Sequence, residues 1–321
     1  MEEPFDRVDL SGMTRSEWIG LRKLGVGGSD VAPLLGLSPW KSEYELWCEK
    51  SGLIEPEDIS DKPAVLWGTL LESVIRDRFS QLHPEYDVMK TTEMYRRSER
   101  PWAQANLDGE LTSEDGSKGV LEIKTSGFMG SHAWDDGAPV WYMCQVAHYM
   151  SVTGYGFAYV AVLIGGQDYR EFRVDRDDGD IAYVNRKVDE FWSRVVSGDE
   201  PDISASQASG DAARCLFERH REPHGGYGQL DSIPEAVSDY MAARELYKRA
   251  KDNMDAYAVQ VKRMIGDHEG VEYPGGKVRW VRTARKSFSS SKLKKERPDI
   301  YSEFTDEKQV DLGLRVTEYK E

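Results

Sequence analysis

No stretch of this 321-residue chain approaches the roughly 18 consecutive apolar residues that a membrane-spanning helix needs. Its acidic opening, MEEPFDRVDL, also has no apolar core of the kind a secretory leader carries. Both absences lead to the expectation of a soluble, cytosolic protein with no membrane partner. Cysteine is scarce: Cys48, Cys144 and Cys215 lie far apart and form no C-x-x-C pair. That excludes a disulfide framework and a four-thiolate iron–sulfur cluster, and reduced thiols are expected. The histidines, His83, His132, His148, His220, His224 and His268, make no HExxH or similar paired spacing, so no zinc site is expected. No Lys-Ser or Lys-Thr pair follows the glycine-rich GVGGSD at Walker spacing, and ATP use is not supported.

Positive charge is in deficit as well: 42 Lys and Arg face 57 Asp and Glu, a net charge of −15. This argues against an unspecific nucleic-acid coat, although a global charge says little about a local groove. One segment reverses the balance. Between Lys277 and Arg297 nine basic residues stand against one acid, Glu296, which suits either polyanion binding or a solvated surface.

What is present reads as helices mixed with strands. Thr14-Arg15-Ser16-Glu17 and Ser42-Glu43-Tyr44-Glu45 fit the capping box and predict helix starts, the second helix ending at Gly52. Leu66, Leu70, Val74, Ile75 and Phe79 recur at helical spacing and predict a helix over 64–82. YDVMKTTEMYRR, WAQANLDGEL and GVLEIKTS read as strands, the last two joined by the turn-rich SEDGSKG as a hairpin. Helices are predicted over 139–152 and 181–196, with FAYVAVLI and DYREFRV as strands between them. The fold class expected is α/β or α+β, a mixed central sheet flanked by helices. Gly, Ser, Asp and Pro accumulate where apolar periodicity fades. The expected domains are a core over 1–197, a linker or insertion over 198–228, and a C-terminal region over 229–321. That last region holds a long helix over about 234–267, the basic segment and a final strand-like LRVTEYK, packing on the core or on a partner.

The acid-x-lysine tripeptide in GVLEIKTS also occurs at Asp306–Lys308 and Glu318–Lys320, so by itself it carries nothing. Only the copy at Glu122 ends an apolar strand run and has a further acid, Asp108, across a hairpin. Because strand side chains alternate, Glu122 and Lys124 share one face and Ile123 points to the other. Two buried carboxylates converging on one spot repel each other unless a cation lies between them. Oxygen ligands of this kind suit Mg²⁺ or Mn²⁺, and a nearby ammonium can orient water or offset charge on phosphorus. A cross-strand salt bridge is the competing reading of the same residues. Trp40 and Trp47 are suited to stacking on unpaired bases or to packing between helices.

Asp108 with Glu122-Ile123-Lys124 resembles the PD-(D/E)xK nuclease signature, with Leu107 where the pattern has proline. LGVGGSDVAPLLGLSPWKSEYELWCEKSG, WGTLLESVIRDRF, ANLDGEL, GVLEIKTS and QVAHYMSVTGYGFAYVAVLIGG together resemble the YqaJ-type viral recombinase family, relatives of the lambda-type phage exonucleases. The resemblance implies a restriction-endonuclease-like core with a C-terminal helical and basic appendage. It assigns Asp108, Glu122 and the Ile123 backbone carbonyl to a metal, Mg²⁺ with Mn²⁺ as substitute, and makes Lys124 the catalytic lysine. Glu72 matches the upstream acid that helps hold the water bound to that metal, and Gln145 the residue that positions nucleophile or phosphate. Arg22, Ser29 and Tyr149 match DNA- or phosphate-contacting positions. Ser29 also suits an N-cap, with amide groups facing an anion.

The activity implied is 5′-to-3′ exonuclease digestion of linear duplex DNA, leaving 3′ single strands for a single-strand annealing partner in recombination. A phage or prophage protein of the bacterial cytoplasm, and a homo-oligomer, are implied as well. The alternatives are a structure-specific or restriction-type endonuclease and a catalytically silent DNA-binding adaptor.

Overall fold

In the computed structural model, residues 3–56, 58–202, 215, 234–281, 284 and 286–305 are described. The strand expected at 314–320, the repeats of the acid-x-lysine pattern after residue 305, Arg282, Arg285, His220, His224 and most of 198–228 lie outside them. The chain divides into two units, Met1–Arg221 and Glu222–Glu321. No helix among the described residues is long and apolar enough to cross a membrane.

The first unit opens with β1 (Phe5–Asp9), α1 (Arg15–Lys23), α2 (Gly28–Leu34), α3 (Glu43–Lys50) and α4 (Pro63–Leu82). Strands β2 (Tyr86–Met89), β3 (Glu93–Arg97), β4 (Arg100–Ala105), β5 (Gly109–Ser113) and β6 (Lys118–Ser126) follow. A 3₁₀ turn (Phe128–Trp134) leads to α5 (Val140–Thr153), β7 (Phe157–Ile164), β8 (Asp168–Asp175) and α6 (Asp178–Ser197). The caps expected from sequence form. The Thr14 hydroxyl accepts from Glu17 N while Glu17 Oε2 accepts from Thr14 N. Ser42 Oγ accepts from Glu45 N at 3.1 Å, and Gly52, with φ of 72°, lies just past the end of α3.

The main sheet has the order β2-β5-β6-β7-β8, and a smaller sheet has the order β1-β3-β4. β6 and β7 are parallel, Glu122 beside Val160 and Lys124 beside Val162, while the other neighbours in the main sheet are antiparallel. A parallel pair needs a crossover, and α5 is that crossover. The period of two along β6 places Leu121 and Ile123 in the apolar layer with Ile75 and Phe79 of α4. Val120 faces the opposite layer with Val146 and Met150 of α5, and Glu122 and Lys124 share Val120's face.

The helix expected over 64–82 forms as α4, but its apolar residues do not all face the sheet. Leu66, Leu70, Val74, Ile75 and Phe79 do not form one buried stripe: Ile75 and Phe79 are buried, while Leu66, Leu70 and Val74 are exposed. The two sets occupy adjacent rows of the helix, and only the second row meets the sheet. Trp47 is buried among α3, α2 and α6, whereas Trp40 is exposed, edge-on to Trp141 at 5.7 Å.

The second unit contains α7 (Glu235–Ile265), the hairpin β9 (Gly270–Tyr273) and β10 (Gly276–Arg279), α8 (Ser290–Glu296) and α9 (Pro298–Glu303). The described basic residues between 277 and 297 are exposed. Lys262 Nζ lies 5.5 Å from the Trp280 ring centroid, tying the end of α7 to the hairpin.

His148 of α5 locks the glycine-rich stretch before α2 onto β4. Val26 N donates to Trp102 O at 2.7 Å and Gln104 N to Val26 O at 2.9 Å. His148 Nε2 faces Val26 O at 3.2 Å and Gln104 O at 3.1 Å, so it carries the proton and donates to both, while buried Nδ1 has no partner. Burial lowers its pKa from 6.5 to about 4, because a second proton would sit on a nitrogen with no acceptor. The unfolded chain therefore binds more protons than the folded one between those two values, and stability falls as pH drops through that window. A loss of about 3 kcal/mol from this group is expected between pH 6.5 and 4. Urea denaturation at stepped pH measures it, and His148→Gln should flatten that portion of the profile.

Candidate active site

The β5–β6 ladder ends at Gly109 beside Leu121. Beyond it Asp108 Oδ2 takes the Ile123 N–H at 2.8 Å, so a side chain supplies the next rung. This contact brings Asp108 to Glu122, across the hairpin expected from SEDGSKG. Glu122 is 1% exposed. Its Oε1 receives the Lys124 ammonium and Gln145 Nε2, the latter at 2.6 Å, while Oε2 is buried with no hydrogen-bond partner. Burial and the neighbouring Asp108 carboxylate push the Glu122 carboxyl up to about 8, against the pull of Lys124. Burial also raises Asp108. Burial opposes the charge on Lys124, yet Glu122 and Asp108 outweigh it and hold the ammonium above its ordinary range.

Lys124 is held on its other side by an aromatic stack. Its Nζ lies 5.0 Å from the Tyr142 ring centroid, and Tyr142 stacks on Trp134 at 5.4 Å, which stacks on Phe172 at 5.9 Å. Such a ring face favours a cation. Gln145 and Tyr149 stand one turn apart on α5, and Gln145 Nε2 also donates to the Tyr149 hydroxyl at 2.9 Å. Tyr149 is 5% exposed, and burial raises its phenol well above the ordinary value. Gly28 covers it: a Cβ there would overlap the Tyr149 ring and lie 2.9 Å from Gln145 Cγ.

Arg22 and Ser29 form a neighbouring group joined to this one through Gly28. Arg22 Nη2 donates to Ser29 Oγ at 2.9 Å and to Asp30 Oδ1 at 3.2 Å, with the Trp18 ring 5.1 Å from the guanidinium. Asp30 Oδ2 takes Lys50 Nζ at 2.7 Å and Gly27 N at 2.9 Å. Burial opposes the charge on Asp30, but Lys50 and Arg22 outweigh it and hold the carboxyl well below the usual range. Ser29 is not an N-cap: the cap position of α2 is Gly27, whose N–H is taken by Asp30 reaching back, and Ser29 lies inside the helix. Glu72 pairs with Arg76, whose Nε donates to Asp108 O at 3.2 Å.

The structure thus brings Asp108, Glu122, Ile123, Lys124 and Gln145 together, with Tyr149 beneath Gln145 and Glu72 attached through Arg76. Residues the sequence reading missed are Arg76, Tyr142, Asp30 and Lys50. Arg76 lies four residues after Glu72 on one helix, a spacing that signals a pair; no local pattern marks the others. Among the described residues no three His, Cys, Asp or Glu side chains are grouped to hold a metal ion. A cation here would rest on Asp108, Glu122 and the Ile123 backbone carbonyl. The unpartnered Glu122 Oε2 fits that role, since a buried acceptor without a donor costs about 1–3 kcal/mol.

The family described as the YqaJ-like viral recombinase domain matches residues 17–156. The chain is 30% identical over 298 residues to the Bacillus subtilis protein YqaJ, covering 91% of each. Among solved structures it is similar to an alkaline exonuclease from Laribacter hongkongensis, with 22% identity and a TM-score of 0.48, over 57% of this chain and 93% of that one. It is also similar to a phage-related exonuclease from Haemophilus somnus, with 15% identity and a TM-score of 0.42, over 56% of this chain and 99% of that one.

The close approach at Gly28 has a measurable consequence. Gly28→Ala is expected to cost about 1–3 kcal/mol, because Tyr149 and Gln145 must move. Gly20→Ala in α1, where an added methyl meets nothing within 4 Å, is expected to be stabilising by about 0.5–1 kcal/mol. Urea midpoints of the two variants against the parent separate these outcomes.

Proposed function

Because the chain belongs to the YqaJ-like viral recombinase family, we propose that it is a divalent-metal-dependent DNA exonuclease acting on linear duplex ends. The observation that carries this reading is the buried, unpartnered Glu122 Oε2 beside Asp108, with the Lys124 ammonium and Gln145 converging on the same carboxylate. A salt bridge serving stability alone would leave no acceptor unsatisfied. Mg²⁺, or Mn²⁺ in its place, would be held by Asp108, Glu122 and the Ile123 carbonyl. When bound, such a cation polarises a phosphodiester oxygen and lowers the pKa of water.

The chain's own residues supply the rest. Lys124 offsets charge developing on the phosphate. Gln145, fixed by Tyr149, directs its amide toward the acid it shares with Lys124. Glu72 steadies the Asp108 backbone through Arg76. Arg22 and Ser29, with a guanidinium and a hydroxyl near the start of α2, are placed to receive a phosphate at a strand end. Digestion from 5′ to 3′, leaving 3′ tails for a single-strand annealing protein, accords with membership of a recombinase family.

Purified protein with Mg²⁺ and end-labelled linear duplex tests the reading. Release of 5′ nucleotides from linear DNA is expected, with covalently closed circles left intact. Lys124→Ala is expected to lower the rate by about 10²–10³-fold while retaining DNA binding in a gel-shift assay. Cutting of closed circles would point to an endonuclease, digestion from 3′ ends would reverse the polarity, and absent metal binding by calorimetry would leave a DNA-binding adaptor.

A further inference from the structure

Of the two tryptophans between α2 and the end of α3, Trp47 is used in packing and Trp40 is not. Trp40 stands in the loop after α2 and is 64% exposed, although an indole is among the largest apolar surfaces a chain can leave in water. The loop that carries it is pinned. Ser38 Oγ accepts from Trp40 N and from Lys41 N, each at 3.2 Å. Lys41 Nζ reaches the buried Glu49 of α3 at 2.6 Å. The open indole is therefore presented from a fixed backbone.

Its inner neighbours lead to the candidate active site. Trp40 lies edge-on to Trp141 at 5.7 Å and tilted by 34° to Tyr142 at 6.4 Å. Tyr142 is the ring that meets Lys124 Nζ at 5.0 Å. Trp141 and Tyr142 belong to α5, whose next turn carries Gln145, so ring patch and charged centre share one rigid element. Two ring contacts separate the open indole from the ammonium, a path on the order of three base steps of about 3.4 Å along a strand.

We infer that Trp40 is a stacking platform for an unpaired base of the strand being cut, within about three nucleotides of the phosphate at Lys124. The inference rests on the nuclease reading of the site and adds the contact that holds a frayed strand end there. An uncharged ring face suits a base, and it tolerates any sequence because every base has a π-face. Inside a duplex both faces of a base are covered by its neighbours. The platform is therefore open only to a base that has left the stack, which selects frayed or single-stranded ends over intact duplex.

Binding without turnover tests this, with Ca²⁺ in place of Mg²⁺ and a duplex that carries a short unpaired 5′ tail. A fluorescent purine analogue in the tail should be quenched by the parent and not by Trp40→Ala. Trp40→Ala is expected to raise Kd about 5–100-fold, with Trp40→Phe retaining most of the affinity. Trp40→Leu keeps an apolar cover over Trp141 without a π-face and should behave as Trp40→Ala does. An abasic nucleotide at one tail position should weaken the parent equally and cost Trp40→Ala nothing further, a coupling that a purely structural role would not produce. Parent-like affinity in Trp40→Ala and Trp40→Leu, or a loss that no abasic position abolishes, overturns the platform, as does coupling found only with a 3′ tail. Nucleotide release with Mg²⁺ is scored separately. Release without coupling overturns the platform alone, whereas coupling without release overturns the nuclease reading and leaves Trp40 as a single-strand contact.

Discussion

A carboxylate shut away from water with one oxygen unsatisfied is the constraint on which the first unit turns. Glu122 sits in the central strand of the main sheet, where charge is costly. Everything around it either lowers that cost or relies on it. Lys124 and Gln145 engage one oxygen, while Asp108 adds a second negative group that makes matters worse. A purely structural cluster would be better served by Asn in place of Asp108, which keeps an acceptor for the Ile123 N–H without a second buried charge. In the function we propose, the pair of acids has a rationale in the cation it would hold.

The supports form successive layers. Tyr142, backed by Trp134 and Phe172, fixes the ammonium with ring faces. Tyr149 fixes the amide of Gln145, and Gly28 permits the backbone of α2 to press on both. Beneath them His148 stays neutral and stitches the glycine-rich loop to β4. The Asp30–Lys50 pair then anchors the same loop from α3, with Arg22 as its third charge. A glycine loop that looks by sequence like a phosphate cradle is therefore first of all a packing device for α5. In the function we propose, the anion-facing role falls to the Arg22 and Ser29 side chains, which are hydrogen-bonded to each other.

Local rules made part of this legible. The two-residue period of a strand placed Glu122 and Lys124 on one face, the turn in SEDGSKG brought Asp108 alongside, and a spacing of four put Gln145 over Tyr149. Caps at Thr14 and Ser42 followed from side chains three residues away. What stayed hidden depends on the third dimension. Periodicity along α4 cannot tell which of two adjacent apolar rows meets a sheet, so the exposure of Leu66, Leu70 and Val74 could not be read from it. Nothing local links Lys50 to Asp30, or His148 to Val26, because those contacts join segments brought together only by the crossover and by the loop before α2. Ser29 was read as a cap because serine prefers that position, but Asp30 one residue later reaches back more effectively.

The separations along the chain differ sharply between the charged centre and its supports. Asp108 reaches Ile123 across 15 residues and Gln145 reaches Glu122 across 23, whereas His148 reaches Val26 across 122. Closing the short loops costs less chain entropy than closing the long one, so the hairpin and crossover can assemble the acids, lysine and amide as one local piece. The N-terminal cover is attached by long-range contacts and is a separate layer of stability. Opening it would uncover Tyr149 and Gln145 while Asp108, Glu122 and Lys124 stay together. In hydrogen exchange, amides of α2 and the Val26 bridge should therefore belong to a shallower cooperative unit than those of β6.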